Sequence, residues 1–301
     1  MAGCDASSFL HALVTADVAG VAPGGGVYAA YLTPQGRMIC DMALYRQPDV
    51  WLADVPAAEA ASLAAKLDAA IFTEDVRVED RSGQLAIVTL VGADAARILG
   101  AAAGLERSQI ESLPLRGILT AGEITAARTD ATALPSFDLL MPRDAVADAT
   151  ARLGQAGAAA MGDALDEALR IEAGRPSFGV DMDTDTIPLE AGLLDRAIST
   201  TKGCYVGQEI IIRVLHRGGG RVARRLMKLE SAEAGAAIEA GAVIAAGGKD
   251  VGAVTSAARS PVGDRAIALG YVQRDAAQAG GAVVVRQGSV EVAATIVGAA
   301  G

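Results

Sequence analysis

Apolar and polar positions follow two different periods in the first two thirds of the chain. Runs that are apolar or alternate with a period of two predict strands, and apolar residues spaced three or four apart predict helices. The predicted strands are 27–33, 38–45, 51–55, 76–79, 85–91, 123–129 and 137–141, and the predicted helices are 56–70, 93–103, 143–156 and 163–173. Such short alternating units favour an α+β fold of split βαβ sandwiches over one doubly wound sheet.

The pattern changes after residue 221. Apolar or alternating runs occupy 222–229, 242–246, 251–257, 266–272 and 282–297, and turns rich in Gly, Asp and Ser separate them. No helical period occurs in this part of the sequence. Closely spaced short strands without helices predict a small β-barrel or sandwich of about 80 residues.

Composition narrows the class of protein. Of the 301 residues, 51% are hydrophobic and 21% are charged, which excludes a disordered chain. A net charge of −10 argues against a general binder of nucleic acid or membrane surfaces. No apolar run is long enough for a transmembrane helix, no signal segment precedes Cys4, and three cysteines without a CxxC pair fit a reducing compartment. We therefore expect a cytoplasmic protein, and the high Ala and low Lys content is typical of bacteria.

The segment 202–209, Lys-Gly-Cys-Tyr-Val-Gly-Gln-Glu, is the richest in candidate chemistry. Glycines on both sides of Cys204 free the backbone to approach another group closely. Lys202 lies two residues before Cys204, on the same side of an extended chain, and a neighbouring cation favours thiolate over thiol. On spacing alone, a small buried cysteine in a structural turn is the alternative.

Two charged stretches flank this segment. Residues 210–229 contain no acidic side chain and six basic ones, namely Arg213, Arg217, Arg221, Arg224, Arg225 and Lys228. Arginine pairs bidentately with carboxylate or phosphate, so this stretch is a candidate anion clamp; a solvated edge strand is the alternative. Asp181, Asp183 and Asp185 lack the Gly and Glu of a calcium loop and are interpreted as a solvated acidic loop.

Several stretches accompany segment 202–209 and support one family. They are 9–18 (Phe-Leu-His-Ala-Leu-Val-Thr-Ala-Asp-Val), 28–37 (ending Leu-Thr-Pro-Gln-Gly-Arg), 170–176 (Arg-Ile-Glu-Ala-Gly-Arg-Pro), 187–193 (Ile-Pro-Leu-Glu-Ala-Gly-Leu) and 216–218 (His-Arg-Gly). With the octapeptide at 202–209, they resemble the YgfZ family, the folate-binding relatives of the glycine cleavage T protein (aminomethyltransferase). The resemblance is clear over residues 9 to about 225, and in the barrel it rests on pattern alone.

The resemblance implies an aminomethyltransferase-like ring of three domains around a folate-sized hole. Two domains are α+β, and the third is the C-terminal β-barrel. The implied boundaries are 1–47 with 112–195 for a folate-binding domain, 48–111 with 196–221 for a second domain, and 222–301 for the barrel. The implied cofactor is tetrahydrofolate or a one-carbon derivative of it.

The resemblance also implies roles for individual residues. Glu172 would hold the pterin, whose neighbouring N–H and amino groups suit one carboxylate; pairing with Arg170 or Arg175 on a helix surface is the alternative. Asp80 would lie near the folate nitrogens, and Tyr28 and Tyr31 would stack on the ring. Arg213 and the basic stretch would meet the glutamate tail or an acidic partner. The motif residues are Gly203, Tyr205, Gly207, Gln208 and Glu209, and we expect no resident metal.

In function, the family resemblance implies a protein that supports iron–sulfur cluster assembly or repair and cluster-dependent tRNA modification. Cys204, tuned by Lys202, would be the reactive or cluster-facing group. One cysteine cannot hold a cluster alone, so any cluster contact would be transient or shared with an iron–sulfur protein or assembly factor. The alternatives are a folate-dependent aminomethyltransferase-type enzyme, which typically has Asp in place of this cysteine, and direct tRNA binding, which the net charge disfavours.

Overall fold

A computed structural model describes residues 1–216 and 219–301, and these residues form two compact units. Unit 1 comprises residues 1–31, 40–160 and 201–205, and unit 2 comprises 32–39, 161–200 and 206–301. The domain boundaries proposed from the sequence remain a prediction. No helix in the described ranges is long and apolar enough to cross a membrane.

Unit 1 contains most of the mixed helices and strands. In chain order they are α1 (Ala6–Leu13), β1 (Gly26–Leu32), β2 (Met38–Arg46), β3 (Trp51–Asp54), α2 (Ala60–Asp68), β4 (Leu85–Val91), α3 (Ala95–Ala103), α4 (Arg107–Glu111), β5 (Ile118–Ala121), β6 (Ile124–Thr129), β7 (Ser136–Pro142), a 3₁₀ turn (Arg143–Ala145) and α5 (Val146–Gln155). The last residue of β1 and the first two of β2 are counted with unit 2.

Two antiparallel sheets organise unit 1. One has the order β1-β2-β3 and the other the order β4-β7-β6-β5. Side chains alternate across the four-stranded sheet, so Ala126 and Leu139 pack with helices α3 and α5, whereas Ala127 and Leu140 pack with Tyr45 of β2. The four-stranded sheet thus has helices on one face and the three-stranded sheet on the other.

Unit 2 is built around a closed barrel. Its elements are α6 (Asp163–Glu172), α7 (Leu194–Ala197), α8 (Gln208–His216), β8 (Arg224–Ala234), β9 (Val243–Ala246), β10 (Lys249–Arg259), β11 (Arg265–Gln273), β12 (Ala282–Gln287) and β13 (Val290–Ala299). The six strands close in the order β10-β11-β8-β13-β12-β9. Leu229, Ile244, Val285 and Ile296 are among the aliphatic side chains that fill the interior.

The predicted α+β fold with a C-terminal β-barrel is confirmed, and several elements are corrected. Residues 76–79 form no strand but a single bridge between Arg77 and Ala2. The run 282–297 is a hairpin, because Gly288 adopts a left-handed φ of 61° and reverses the chain. Residues 210–216 are helical instead of an edge strand, and the predicted Arg217 and Gly218 lie outside the described residues.

The acidic run at 181–185 is not uniformly solvated. Asp183 and Asp185 are exposed, but Asp181 is only 3% exposed. Its carboxylate accepts hydrogen bonds from Arg170 Nη1 at 2.6 Å and from Ser256 Oγ at 2.5 Å. A buried carboxylate must be paired in this way, so Asp181 joins helix α6 to strand β10 and is no part of a calcium loop.

Candidate functional site

Segment 202–205 of unit 1 has an exposed thiol between two anchored side chains. Cys204 is exposed, and the Tyr205 ring is buried. The Lys202 ammonium donates hydrogen bonds to the carbonyl oxygens of Val14 at 2.6 Å and Ala16 at 3.0 Å, and to that of His11. Burial lowers the pKa of Lys202 to about 8 and raises that of Tyr205 to about 12. The predicted tuning of the thiol by Lys202 remains a prediction.

The remaining part of the motif, residues 206–209 of unit 2, has a structural role. Gly207 has a φ of 82°, and a Cβ there would lie 2.6 Å from the Thr33 carbonyl oxygen, so no larger residue fits. Gln208 and Glu209 form the first turn of α8. Glu209 Oε1 accepts a hydrogen bond from Arg213 Nη2 at 2.6 Å, one helical turn away. The Arg213 charge is therefore already partnered within its own helix.

The predicted tyrosine pair is separated by strand geometry. Tyr28 and Tyr31 are three residues apart on β1, so their side chains point to opposite faces of the sheet. Tyr31 is 8% exposed, and burial raises its pKa. Tyr28 is half-buried and donates a hydrogen bond to Asp41 Oδ2 at 2.5 Å. The two rings therefore lie on different faces of the sheet, and their contact with a folate ring remains a prediction.

Arg116 completes a polar arrangement around Tyr28. Its guanidinium lies 5.3 Å from the centre of the Tyr28 ring and pairs with Asp130. The backbone of Arg116 adopts a φ of 64°, a left-handed conformation that is unfavourable for a residue other than glycine. Strained residues of this kind occur preferentially at functional sites.

Two further carboxyl groups face the same space between the sheets of unit 1. Asp54 is two residues from Leu52 on β3, and Asp138 is two residues from Leu140 on β7, so each shares a face with its leucine. Both leucines belong to the core between the sheets. Burial raises the pKa of Asp54 to about 7; the carboxylates of Asp138 and Asp41 add to this rise and Arg116 opposes it. We call Tyr28, Asp41, Asp54, Arg116 and Asp138 the polar layer.

A cavity of about 500 Å³ opens beside the polar layer within unit 1. Its walls are largely apolar and include Trp51, Leu63 and Leu140, while Asp54 contributes an ionisable group. The predicted Asp80 also lines it, from the loop that precedes β4. Hydrogen bonds from the Ser82 hydroxyl and backbone N–H lower the pKa of Asp80, so this carboxylate is charged at neutral pH.

Glu172 ends helix α6 in unit 2 and is exposed. Its Oε1 accepts a long hydrogen bond from Ser260 Oγ at 3.4 Å, whereas Arg170 makes ion pairs with Glu167 and Asp181. Gly174, with a φ of 71°, terminates the helix in the usual left-handed conformation. A carboxylate at a helix C-terminus opposes the helix dipole, so its position is not explained by helix stability. The pterin role of Glu172 remains a prediction.

Sequence reasoning missed most of the polar layer. Asp41, Asp54 and Asp138 fall inside predicted strands without an assigned role, and Arg116 lies in a stretch for which the sequence predicts no element. A usable signal existed, because Asp41 and Asp138 each interrupt an otherwise apolar strand. A charged residue on a core-facing position of a strand is uncommon and points to function. Their convergence, however, depends on two sheets packing face to face, which no local pattern reveals.

Comparison with known proteins identifies the family of this chain. A mixed α+β unit with a ligand-sized cavity, followed by a closed six-stranded barrel, defines a fold of the aminomethyltransferase class. Residues 1–202 match the model of the GCVT N-terminal domain, and residues 224–300 match that of the glycine cleavage T-protein C-terminal barrel domain. The chain therefore belongs to the glycine cleavage T-protein family.

Individual relatives agree with this family. An aminomethyltransferase of Rubrobacter xylanophilus is 31% identical over 95% of this chain and 76% of its own length. One of Cutibacterium acnes is 30% identical over 93% of this chain and 78% of its own. The crystal structure of the glycine cleavage system aminomethyltransferase T from Bartonella henselae superposes with a TM-score of 0.88 over 98% of this chain and 81% of that chain, at 24% identity.

Proposed function

We propose that this protein is a cytoplasmic, tetrahydrofolate-binding member of the YgfZ type, which supports iron–sulfur cluster assembly or repair and cluster-dependent tRNA modification. The observation that carries the proposal is the exposed thiol of Cys204 within segment 202–209, in a chain of the glycine cleavage T-protein family. A methylene transferase has no need of a soft sulfur nucleophile or ligand at this position. The thiol therefore favours the cluster-related branch of the family.

The residues of unit 1 suit a reduced folate. A cavity of about 500 Å³ lies within the range of small-molecule sites. Its apolar walls would pack against a ring system, and its carboxyl groups would accept hydrogen bonds from the N–H and amino groups of a pterin. Tetrahydrofolate or a one-carbon derivative would supply the carbon-carrying chemistry, and the protein would orient it. Glu172 of unit 2 is the other proposed pterin ligand.

Calorimetric titration with tetrahydrofolate separates these two carboxylate assignments. If Glu172 holds the pterin, Glu172→Gln lowers the affinity by about tenfold or more, which corresponds to the loss of one charged hydrogen-bonding group. If the cavity beside the polar layer holds it, Asp54→Asn gives this loss and Glu172→Gln binds like the wild type. Asp94→Asn, an exposed acid on the surface of unit 1, is the matched control. Wild-type protein that does not bind tetrahydrofolate at all would refute the cofactor assignment.

The cluster-related role places a requirement on the thiol. No group of three or more His, Cys, Asp or Glu side chains in the described parts of the chain is arranged to hold a metal ion. Clusters usually take four thiolates, so Cys204 would contact a cluster only together with ligands from a client protein or assembly factor. In that case Cys204 would be needed for client activity and not for folding.

Complementation tests this requirement. A strain lacking the corresponding gene would receive the wild type, Cys204→Ser or Cys4→Ser, and the activity of a cluster-dependent tRNA-modifying enzyme would be measured. Cys4 is a fitting control because it is also exposed. We expect Cys204→Ser to fail and Cys4→Ser to succeed at equal protein levels. Full complementation by Cys204→Ser would show that the thiol is dispensable.

A folate-dependent one-carbon transferase of the aminomethyltransferase type is the second candidate. The relatives named above favour it, because they are named aminomethyltransferases. This candidate predicts that the protein forms methylene-tetrahydrofolate from an aminomethyl donor. Turnover that persists in Cys204→Ser would support this candidate and would argue against the proposed function.

A further inference from the structure

We propose that Lys202 is a positioning residue: its ammonium fixes segment 202–205 to a rigid part of unit 1 and thereby presents the Cys204 thiol to solvent. This inference deepens the proposed function and rests on it, since it explains how the same thiol is held. It assigns Lys202 a mechanical role in place of the electrostatic one suggested by its spacing from Cys204.

The first argument is the number of acceptors around the ammonium. A lysine ammonium has three N–H donors. Three backbone carbonyls accept from it, those of Val14 at 2.6 Å, Ala16 at 3.0 Å and His11. His11 belongs to the last turn of α1, where carbonyls have no partner inside the helix and the helix dipole is negative. The positive charge is therefore directed toward these carbonyls.

The second argument is that these acceptors belong to a rigid frame. Val14 is fully buried, and its N–H donates to the Leu10 carbonyl at 3.0 Å. The Thr15 N–H donates to the Ala30 carbonyl at 3.0 Å, and the Ala30 N–H donates to Thr15 Oγ1 at 2.9 Å. Residues 14–16 are thus tied to strand β1 in both directions. A Lys202 ammonium that is hydrogen-bonded to these residues is therefore held in a fixed position.

The third argument is the shape of the chain around the thiol. The Tyr205 ring is buried and lies 5.1 Å from the Lys202 ammonium, so both ends of the segment point into unit 1. Between them, Gly203 and Cys204 are exposed. A Cβ at Gly203 would have no atom within 4 Å, and Gly203 has no left-handed φ. The thiol therefore projects from an anchored arch with open space beside it.

The test compares the mobility of the segment with the acidity of the thiol. Cys4→Ser serves as background, so that Cys204 is the exposed cysteine that reacts. In this background, Lys202→Ala removes the anchor and leaves the three carbonyls without their donor. Hydrogen exchange of the amides at 203–205 reports mobility, and the pH profile of Cys204 alkylation by iodoacetamide reports acidity. Lys202→Met, which keeps most of the stem, is measured alongside in case the alanine variant does not fold.

We expect exchange at 203–205 to become about tenfold faster in the alanine variant. Added n-propylammonium can satisfy the three carbonyls but has no covalent link to the segment, so it should leave exchange at 203–205 fast. The alkylation profile should move by less than about 0.3 pH unit. Unchanged exchange in Lys202→Ala, or slow exchange restored by the untethered amine, would overturn the anchor. A profile displaced by about one pH unit or more would restore the electrostatic role. Neither readout involves folate or a client, so failed complementation leaves this result unaffected.

Discussion

The barrel of unit 2 is filled by aliphatic side chains, whereas the space between the two sheets of unit 1 contains three carboxyl groups and a guanidinium. Burying aliphatic groups stabilises a fold, and burying charged groups costs free energy unless they are fully paired. The barrel interior is thus explained by stability alone. The polar layer is not, and it adjoins the cavity. This contrast is what we expect if the polar layer serves the folate site proposed for unit 1.

The largest expected effect tests the barrel side of this contrast. Leu229 is 1% exposed in the barrel core, and Leu229→Ala would leave a cavity among aliphatic neighbours. We expect it to lower the free energy of unfolding by about 3 kcal/mol, measured by urea denaturation. Tetrahydrofolate affinity of the folded fraction should not change. A loss below about 1 kcal/mol would show that the barrel interior is loosely packed.

The next prediction tests the polar layer. Here the substitution should raise the free energy of unfolding instead of lowering it. Asp54 has a folded pKa of about 7, above its unfolded value near 4, so folding is favoured by the proton. The contribution of Asp54 to stability is therefore lost as pH rises from about 4 to about 7, and Asp54→Asn lacks this dependence. At pH 8 we expect the variant to be more stable by about 2 kcal/mol, a value reduced for partial solvent access.

Thermal unfolding of both proteins at pH 4.5 and pH 8 measures this difference, with the exposed Asp49→Asn as the control. The control should follow the wild type at both pH values. If Asp54→Asn were less stable than the wild type at pH 8, the carboxyl group would be stabilising. The inference that the polar layer lowers the stability of unit 1 would then be wrong.

A smaller effect concerns the edge of the polar layer. Tyr28→Phe removes the hydroxyl that donates to Asp41 Oδ2 at 2.5 Å and keeps the ring under Arg116. Loss of one charge-assisted hydrogen bond should lower stability by about 1 kcal/mol. Equilibrium urea unfolding measures this change. Tyr271→Phe in unit 2 gives a reference for removing a buried tyrosine hydroxyl elsewhere.

The smallest expected effect contrasts the two glycines of segment 202–209. Gly203→Ala meets no neighbour and needs no special backbone, so its stability should stay within about 0.5 kcal/mol of the wild type. Gly207→Ala must accommodate a φ of 82° and the Thr33 carbonyl, and it should be clearly less stable. Differential scanning calorimetry of both variants checks this. Equal destabilisation would show that Gly203 also has a structural task.

The sequence was informative where structure follows from local pattern. The barrel strands and helix 163–173 were predictable because their period and flanking turns agree with the structure. Helix α8 was not predicted, because the stretch 210–229 was interpreted by its six basic residues. The spacing of Ile210, Ile211 and Val214 is the helical signal in that stretch. Segment 202–209 was identified by its residue types. Its anchoring on residues 11–16 was not predictable, because that contact spans almost 190 positions of the chain.

Trp51 gives the molecule an optical property that follows from its place in the cavity wall. It is the single tryptophan of the chain, it is 3% exposed, and its indole N–H donates to Ser7 Oγ at 3.0 Å. Indole emission depends on the polarity around the ring, so fluorescence excited at wavelengths that tyrosine does not absorb reports from one wall of this cavity. A ligand that enters this cavity should shift the wavelength or change the intensity of the Trp51 emission, without any attached dye.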